Sequence, residues 1–317
     1  MLGLGHSCCW LCQRVGGVVA GVGVSLIGSL LFAFLYYYTG WLRPLSGEAI
    51  YGWRVLLTFP FLTLLLLVRG RWGQVGQIGR RLALGGWRSG LWLLSSAAML
   101  GVQLWLFLWA PVNGQGLAVS LGYFLLPLTL VLTGRLLFAD PVSRPQWLAC
   151  GLALLGVGHA LLGAGALAWP TWLVCLGYPV YFALRRWRAI PSLGGLWWDL
   201  LLSLPVALWF ALEHSPVELW QGGRLAWLIL GLGFISALAL SCMMLAGERL
   251  SLPLFGLLSY VEPVLLVVAA LLLGESLSAE QWWTYGPIWL AVALLGGEGV
   301  WRLMARRRPG AAPGSAD

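Results

Sequence analysis

Residues 252–274 read LPLFGLLSYVEPVLLVVAALLLG, an apolar run in which Glu262 is the one charged side chain. At about 1.5 Å per residue, a helix of this length crosses the roughly 30 Å hydrocarbon core of a bilayer. Backbone groups in that core must be satisfied within a helix or around a closed barrel. A barrel needs strands of roughly ten residues with alternating polarity, and no such alternation is present. The stretch is therefore a transmembrane helix. Val55–Val68 with its flanks repeats the pattern. Composition agrees: 60% of the residues are hydrophobic and 9% charged, against about a quarter charged in soluble domains.

Outward from this stretch, spans of about twenty apolar residues fall near 15–36, 49–68, 90–110, 117–138 and 145–163. A second set falls near 167–185, 195–213, 224–245, 252–273 and 282–302. The breaks carry turn or charge signals, among them Arg69–Arg81, Asp140–Pro145 and Arg185–Ser192. Arginine bias across the loops sets the orientation. With the N-terminus cytoplasmic, sixteen of the 19 arginines lie at inside ends; Arg43 and Arg224 fall outside and Arg54 lies within a helix. The expectation is an all-α polytopic protein of a bacterial inner membrane, with ten transmembrane helices and both termini cytoplasmic. Its partner is the lipid bilayer, and the sequence is compatible with a homodimer. The run Arg306–Arg308 anchors the last helix at an anionic leaflet rather than marking a nucleic-acid patch.

All 19 basic residues are arginine, which excludes a P-loop lysine, a Schiff-base lysine and a Ser–Lys dyad. The first apolar stretch, Val15 to about Tyr38, is too long for a signal-peptide h-region and reads as an uncleaved span. Cys8, Cys9 and Cys12, with His6 nearby, precede it in a tail over residues 1–14. A Cys-Cys-x-x-Cys run without a second ligand cluster is a weak metal signal. No metal or cofactor is expected. Residues 303–317 form a basic, disordered tail.

The run at 252–274 has a twin. Gly122-Tyr123-Phe124-Leu125-Leu126-Pro127 leads through apolar residues to Asp140 and then Gln146-Trp147; Ser259-Tyr260-Val261-Glu262-Pro263 leads to Glu275 and then Gln281-Trp282. The interval from acid to Gln-Trp is six residues in both. Residues 15–163 and 167–302 thus read as two repeats of five helices each, and an odd number inverts the second relative to the first. Inverted repeats with a site at their interface are a recurring transporter design.

These residues carry a family resemblance. The stretch Ser120-Leu121-Gly122-Tyr123-Phe124 with Pro127, followed by Gln146-Trp147-Leu148-Ala149, resembles the drug/metabolite transporter superfamily. Leu106–Ala110 and Glu48–Arg54 fit as well, and within the superfamily the chain is similar to the EamA transporters and their RarD group. The likeness runs from about Arg14 to Arg302. Departures from the pattern are Ala139-Asp140 where the family favours Gly-Glu, and Gln103-Leu104-Trp105 where it favours Asn-Trp. Glu262 before Pro263 follows the wider EamA pattern. The resemblance implies a secondary transporter of a small metabolite or drug-like compound.

Ionisable groups inside spans are costly and informative. Glu262 lies about ten residues into its helix, roughly 15 Å from either face, where a carboxyl that exchanges its proton suits coupling. A neutral, hydrogen-bonded structural acid is the other reading. Pro263 frees a helix carbonyl and lets the helix flex beside it; Pro127 takes the matching place in the first repeat. Arg54 either faces a central cavity, for an anionic group or Glu262, or snorkels to the interface. Tyr123 and Tyr260 occupy matching positions and are candidate pore-lining residues. Gln103, Trp105 and Asn113 are weaker candidates. Asp199 is expected to form an interfacial salt bridge with Arg185–Arg188. Gly17, Gly21, Ser25 and Ser29 make a small-residue stripe suited to helix packing.

The function that follows is a permease working by alternating access, directed to efflux and coupled to protons. A non-transporting membrane sensor or assembly protein stays open beside it. An intramembrane enzyme has less support, because the chain contains no HExxH, GxSxG or Walker A pattern and therefore no expected catalytic residues.

Overall fold

The computed structural model describes residues 4–42, 45–112, 116–164, 168–215, 223–265 and 279–306. The regular elements among them are all helices. In chain order they are α1 (Leu4–Thr39), α2 (Gly47–Val68), α3 (Gly73–Val112), α4 (Gly116–Phe138) and α5 (Arg144–Ala164). They continue with α6 (Trp169–Trp187), α7 (Ser192–Glu213), α8 (Arg224–Arg249), α9 (Leu252–Leu258) and α10 (Ala279–Arg306). Past a turn at Ser259–Tyr260, residues 261–265 are helical again.

Six of these helices contain a stretch long and apolar enough to cross a bilayer, and three shorter apolar stretches lie in α4, α9 with its continuation, and α10. The molecule is an all-α, multi-pass bundle. Its outside fits lipid: Leu64, Val68, Leu84, Leu136, Leu155, Leu162 and Trp227 are large apolar side chains left exposed, far more than a water-facing surface tolerates as one patch. α6 is in neither group. Pro170, Pro179, Tyr178, Tyr181, Arg185 and Arg186 interrupt its apolar sequence, and its tyrosines and arginines carry much of the interior polar chemistry.

Local chemistry explains where helices begin. Ser46 caps α2, its Oγ accepting from the Ala49 N–H at 3.2 Å. α5 opens with a capping box: the Gln146 N–H donates to Ser143 Oγ at 3.4 Å and the Ser143 N–H donates to Gln146 Oε1 at 3.0 Å. The glutamine of the repeated Gln-Trp pair is thus a capping residue. Its twin, the side chain of Gln281, lies outside the described residues.

Two boundaries differ from the sequence reading. α1 starts at Leu4, so most of the expected tail is helical. α3 starts at Gly73, inside the expected Arg69–Arg81 break. Val75 and Ile78 are buried there while Gln77, Arg80 and Arg81 are exposed, which is the pattern of a short amphipathic helix lying against the bundle. Trp198 Nε1 donates to the Val75 carbonyl at 3.1 Å and Gln74 Oε1 accepts from the Gly194 N–H at 3.1 Å, pinning this segment to α7. The chain then turns at Gly86, with φ 59° and ψ −156°, a conformation open to glycine alone at little cost.

Packing pairs α2 with α7 and α8, and α7 with α3. α1 lies on α8 and α6 on α3; α4 meets α6 and α9, and α5 meets α10. Glycines set the closest approaches. A Cβ on Gly52 would sit 2.6 Å from the Ala207 carbonyl of α7, and one on Gly233 would sit 2.4 Å from Leu57 Cβ of α2. From the small-residue stripe, Gly21 faces Arg249 and Leu250, with Ser25 and Ser29 buried, whereas Gly17 has open space.

Where α6 meets α7, Arg185 and Asp199 form an ion pair at 2.9 Å. The expected pairing is there and is enclosed by protein, since Asp199 is fully buried and Arg185 nearly so. Tyr181 donates to Asp199 Oδ2 at 2.8 Å and is itself bonded by Arg185. The other arm of Arg185 caps the Pro191 and Ser192 carbonyls at 3.0 and 2.5 Å. Nearby, Arg186 grips Asp140 through two bonds of 2.5 and 2.8 Å, and Asp140 Oδ2 also accepts from the Leu252 N–H at the start of α9.

Candidate functional site

The break in α9 is where the site is built. Pro263 has no N–H to give to the Ser259 carbonyl one turn back, and its ring crowds that carbonyl. The Glu262 N–H reaches it instead at 3.3 Å, and the Tyr260 N–H likewise bonds three residues back to Leu257 at 3.2 Å. The helix tightens, turns at Ser259–Tyr260 and resumes. Glu262 emerges beside this turn, partly accessible, with Pro263 buried behind it.

Arg54 comes from α2. Gly52 seats one side of that helix against α7, and Gly233 of α8 accepts the α2 backbone at Leu57 on the other. Arg54 is thereby held in the interior, 1% exposed; it does not snorkel. Its Nε donates to Ser236 Oγ at 2.8 Å, and Ser236 lies one turn past Gly233 on α8. The guanidinium carbon stands 6.0 Å from the ring centres of Phe32 and of Phe107, close enough for the ring faces to contribute. Nη2 has no hydrogen-bond partner among the described residues. Thr58, one turn along from Arg54, is also fully buried with its hydroxyl unpartnered among the described residues.

Four titratable groups lie within electrostatic reach of Arg54: Tyr178, Tyr123, Glu262 and Tyr51. Tyr123 of α4 and Tyr178 of α6 lie within electrostatic reach of each other, with ring centres 6.3 Å apart. Tyr123 also meets the Phe107 ring edge-on at 5.8 Å. Glu262, Arg54 and Tyr123 from the sequence reading therefore converge in one place.

The remaining candidates lie elsewhere. Tyr260 is fully buried in a separate cluster with Phe124, Ala149, Ala153 and Ile288, and its hydroxyl donates to the Phe124 carbonyl at 3.1 Å. Gln103 Nε2 donates to the Leu173 carbonyl at 2.6 Å and packs over Gly177, clamping α3 to α6. Trp105 stacks on Trp109 with ring centres 4.9 Å apart. Pro127 is buried, its carbonyl against Gly256 of α9. Asn113 and Glu275 lie outside the described residues. Tyr178, Ser236 and Tyr51 were not singled out in the sequence. Tyr178 had a signal, since it immediately precedes Pro179 as Glu262 precedes Pro263.

No group of three or more His, Cys, Asp or Glu able to hold a metal occurs among the described residues.

Comparison with known proteins bears on this geometry. No protein-family model matches the chain. The chloramphenicol-sensitive protein RarD of Pseudomonas aeruginosa is 41% identical over 304 residues, covering 94% of this chain and all of that protein. An uncharacterized transporter of Pasteurella multocida is 38% identical over 293 residues, covering 91% of this chain and 99% of its own length. Protein RarD of Salmonella typhimurium is 30% identical over 274 residues, covering 84% and 89% respectively. One crystal structure superposes with a TM-score of 0.62, covering 92% of this chain and 99% of its own at 19% identity, a likeness that speaks for fold alone. These relatives align with this chain along nearly their whole length: the chain belongs to the RarD group of the EamA transporters, in the drug/metabolite transporter superfamily, and is a polytopic bacterial membrane transporter.

Proposed function

We propose that this transporter is proton-coupled, with Glu262 as the coupling carboxyl, and exports a small metabolite or drug-like compound by alternating access across the inner membrane. The observation that carries this reading is the placement of Glu262 beside the break in α9, with Arg54, Tyr123 and Tyr178 in electrostatic reach. Interrupted helices that present charged groups at mid-membrane are a recurring substrate and ion site in secondary transporters. A carboxyl there can change charge state as the site alternates between two waters, whereas an arginine stays protonated. The direction, outward, is assigned from the family resemblance.

The accompanying architecture is ten spans in two inverted five-helix repeats, over residues 15–163 and 167–302, with both termini cytoplasmic. The packing supports it. Exchanging each helix with the one five places on carries α2 on α8 into α7 on α3, and α1 on α8 into α6 on α3. The pairs α2 with α7, α4 with α9 and α5 with α10 map onto themselves. Topology reporters fused at Gln77 and at Asn113 should report opposite sides, inside and outside; a shared side would overturn the arrangement.

The coupling role is tested with Glu262→Gln in proteoliposomes carrying an imposed pH gradient and a panel of small compounds. Chloramphenicol belongs in that panel because the Pseudomonas relative bears it in its name. The variant should insert normally and lose gradient-driven flux while retaining exchange. Full pH-dependent flux in Glu262→Gln would make the carboxyl structural.

A further inference from the structure

We propose that the site takes its substrate as an anion, a small aromatic carboxylate, with Arg54 as the recognition residue and a proton taken up at Glu262 as the anion binds. The inference rests on the coupling reading of Glu262 and adds the charge and shape of the substrate to it.

The first observation is an unfilled cation. Arg54 is 1% exposed, is bonded through Nε to Ser236, and leaves Nη2 without a partner among the described residues. Its nearest carboxylate, Glu262, is within electrostatic reach, yet the ion pairs among the described residues are only Arg185–Asp199 and Arg186–Asp140. A buried guanidinium with an unpaired N–H group is costly, and a ligand carboxylate supplies the two-pronged acceptor that a guanidinium fits best. The second observation is the wall. Phe32 and Phe107 lie on the guanidinium, Phe107 meets Tyr123, and Tyr123 meets Tyr178. These rings offer flat apolar faces for an aromatic body, and the two tyrosines offer hydroxyls to its polar end.

Charge counting links the anion to the proton. The titratable groups that face one another here are Arg54 and Tyr51 from α2, Tyr123 from α4, Tyr178 from α6, and Glu262. Tyrosines stay neutral near pH 7 and arginine stays charged, so only Glu262 changes charge. With Glu262 ionised the site is neutral, and an arriving anion leaves a net negative charge in a poorly solvated place. With Glu262 protonated the site is positive, and the anion neutralises it. Anion and proton therefore bind with positive cooperativity, each strengthening the other by the same factor, so they cross together, and export of the anion is driven by its own outward gradient with the proton as companion. A cation would show the opposite linkage and be repelled by Arg54.

The test uses the full-length protein in nanodiscs and three probes of one shape: benzoate, benzyl alcohol and benzylamine. Titration calorimetry in two buffers of different ionisation enthalpy gives affinity and proton exchange together. Benzoate should bind about tenfold or more tighter than benzyl alcohol, as loss of a charged hydrogen bond implies, and benzylamine weakest. Benzoate binding should take up protons in the wild type and none in Glu262→Gln, which should still bind it. Arg54→Gln should lose the preference for benzoate, and Arg54→Lys should keep part of it. Absence of benzoate binding, a preference for benzylamine, proton release on binding, or an unchanged benzoate preference in both Arg54 variants would each overturn the inference. Benzylamine preference together with flux that depends on Glu262 would leave the coupling reading standing and remove the anion alone.

Discussion

Two arginines are buried in this bundle, and they are held in opposite ways. Both terminal nitrogens of Arg185 of α6 are paired: Asp199 and Tyr181 take one arm, and the Pro191 and Ser192 carbonyls take the other. Arg54 of α2 has, among the described residues, one hydrogen bond, to Ser236, and two ring faces. Burial is nearly equal, at 5% and 1% exposure, so accessibility does not separate them. Satisfaction does. An arginine whose terminal nitrogens are paired by the protein is a structural fastener; one with a bare N–H group among the described residues is the ligand contact proposed above.

The comparison breaks most sharply under stability measurements. Arg185→Met leaves Asp199 buried without its cation and should cost about 3–5 kcal/mol, read as a loss of folded protein in thermal unfolding in detergent. Replacing both partners, Arg185→Met with Asp199→Leu, should recover most of that loss. Arg54→Gln, in contrast, should leave the melting temperature near wild type and affect ligand binding instead. Equal destabilisation by the two single arginine variants would erase the distinction.

Backbone approach sharpens it next. Gly195→Ala would drive a Cβ to 2.2 Å from Arg185 Nη2 and 2.7 Å from Ile190 Cγ2; Gly233→Ala would place one 2.4 Å from Leu57 Cβ and 2.9 Å from the Leu57 carbonyl carbon. Each should cost about 1–3 kcal/mol through overpacking. The second should also reduce transport, since it separates α8, with Ser236, from α2. Ser236→Ala removes a single hydrogen bond and should cost about 0.5–1.5 kcal/mol, with a weaker benzoate affinity as the more sensitive readout. The smallest effect is expected at Arg81, which is exposed and donates to the Arg188 and Ala189 carbonyls at 3.3 and 3.2 Å. Arg81→Gln should change stability by less than about 0.5 kcal/mol.

The multi-pass helical bundle was legible in the chain itself. A segment in hydrocarbon must satisfy its own backbone, so a long apolar run specifies a helix whatever its neighbours are. Glu262 and Pro263 were legible for a related reason: a charge or a missing donor in such a run is conspicuous on its own. The span near 167–185 was placed by apolar length like the others, and the arginine alternation supported the count. The Ser143-x-x-Gln146 capping box was in the sequence as well, with a known physical meaning.

Facing was not legible. A helix apolar on every side does not record which side meets lipid and which meets protein, because hydrocarbon and a packed interior are alike to a leucine. Tyr123 and Tyr260 show the consequence. They stand in matching sequence contexts, yet Tyr123 joins Tyr178 beside Arg54 while Tyr260 turns to the Phe124 carbonyl among α4, α5 and α10. Tyr178 and Ser236 became site residues only because α6 and α8 cross α2, α3 and α4 where they do. Backbone hydrogen bonding is local and so was written in the one-dimensional sequence; the partners of a side chain are fixed by close packing between segments far apart in it, and only the tertiary structure decided them.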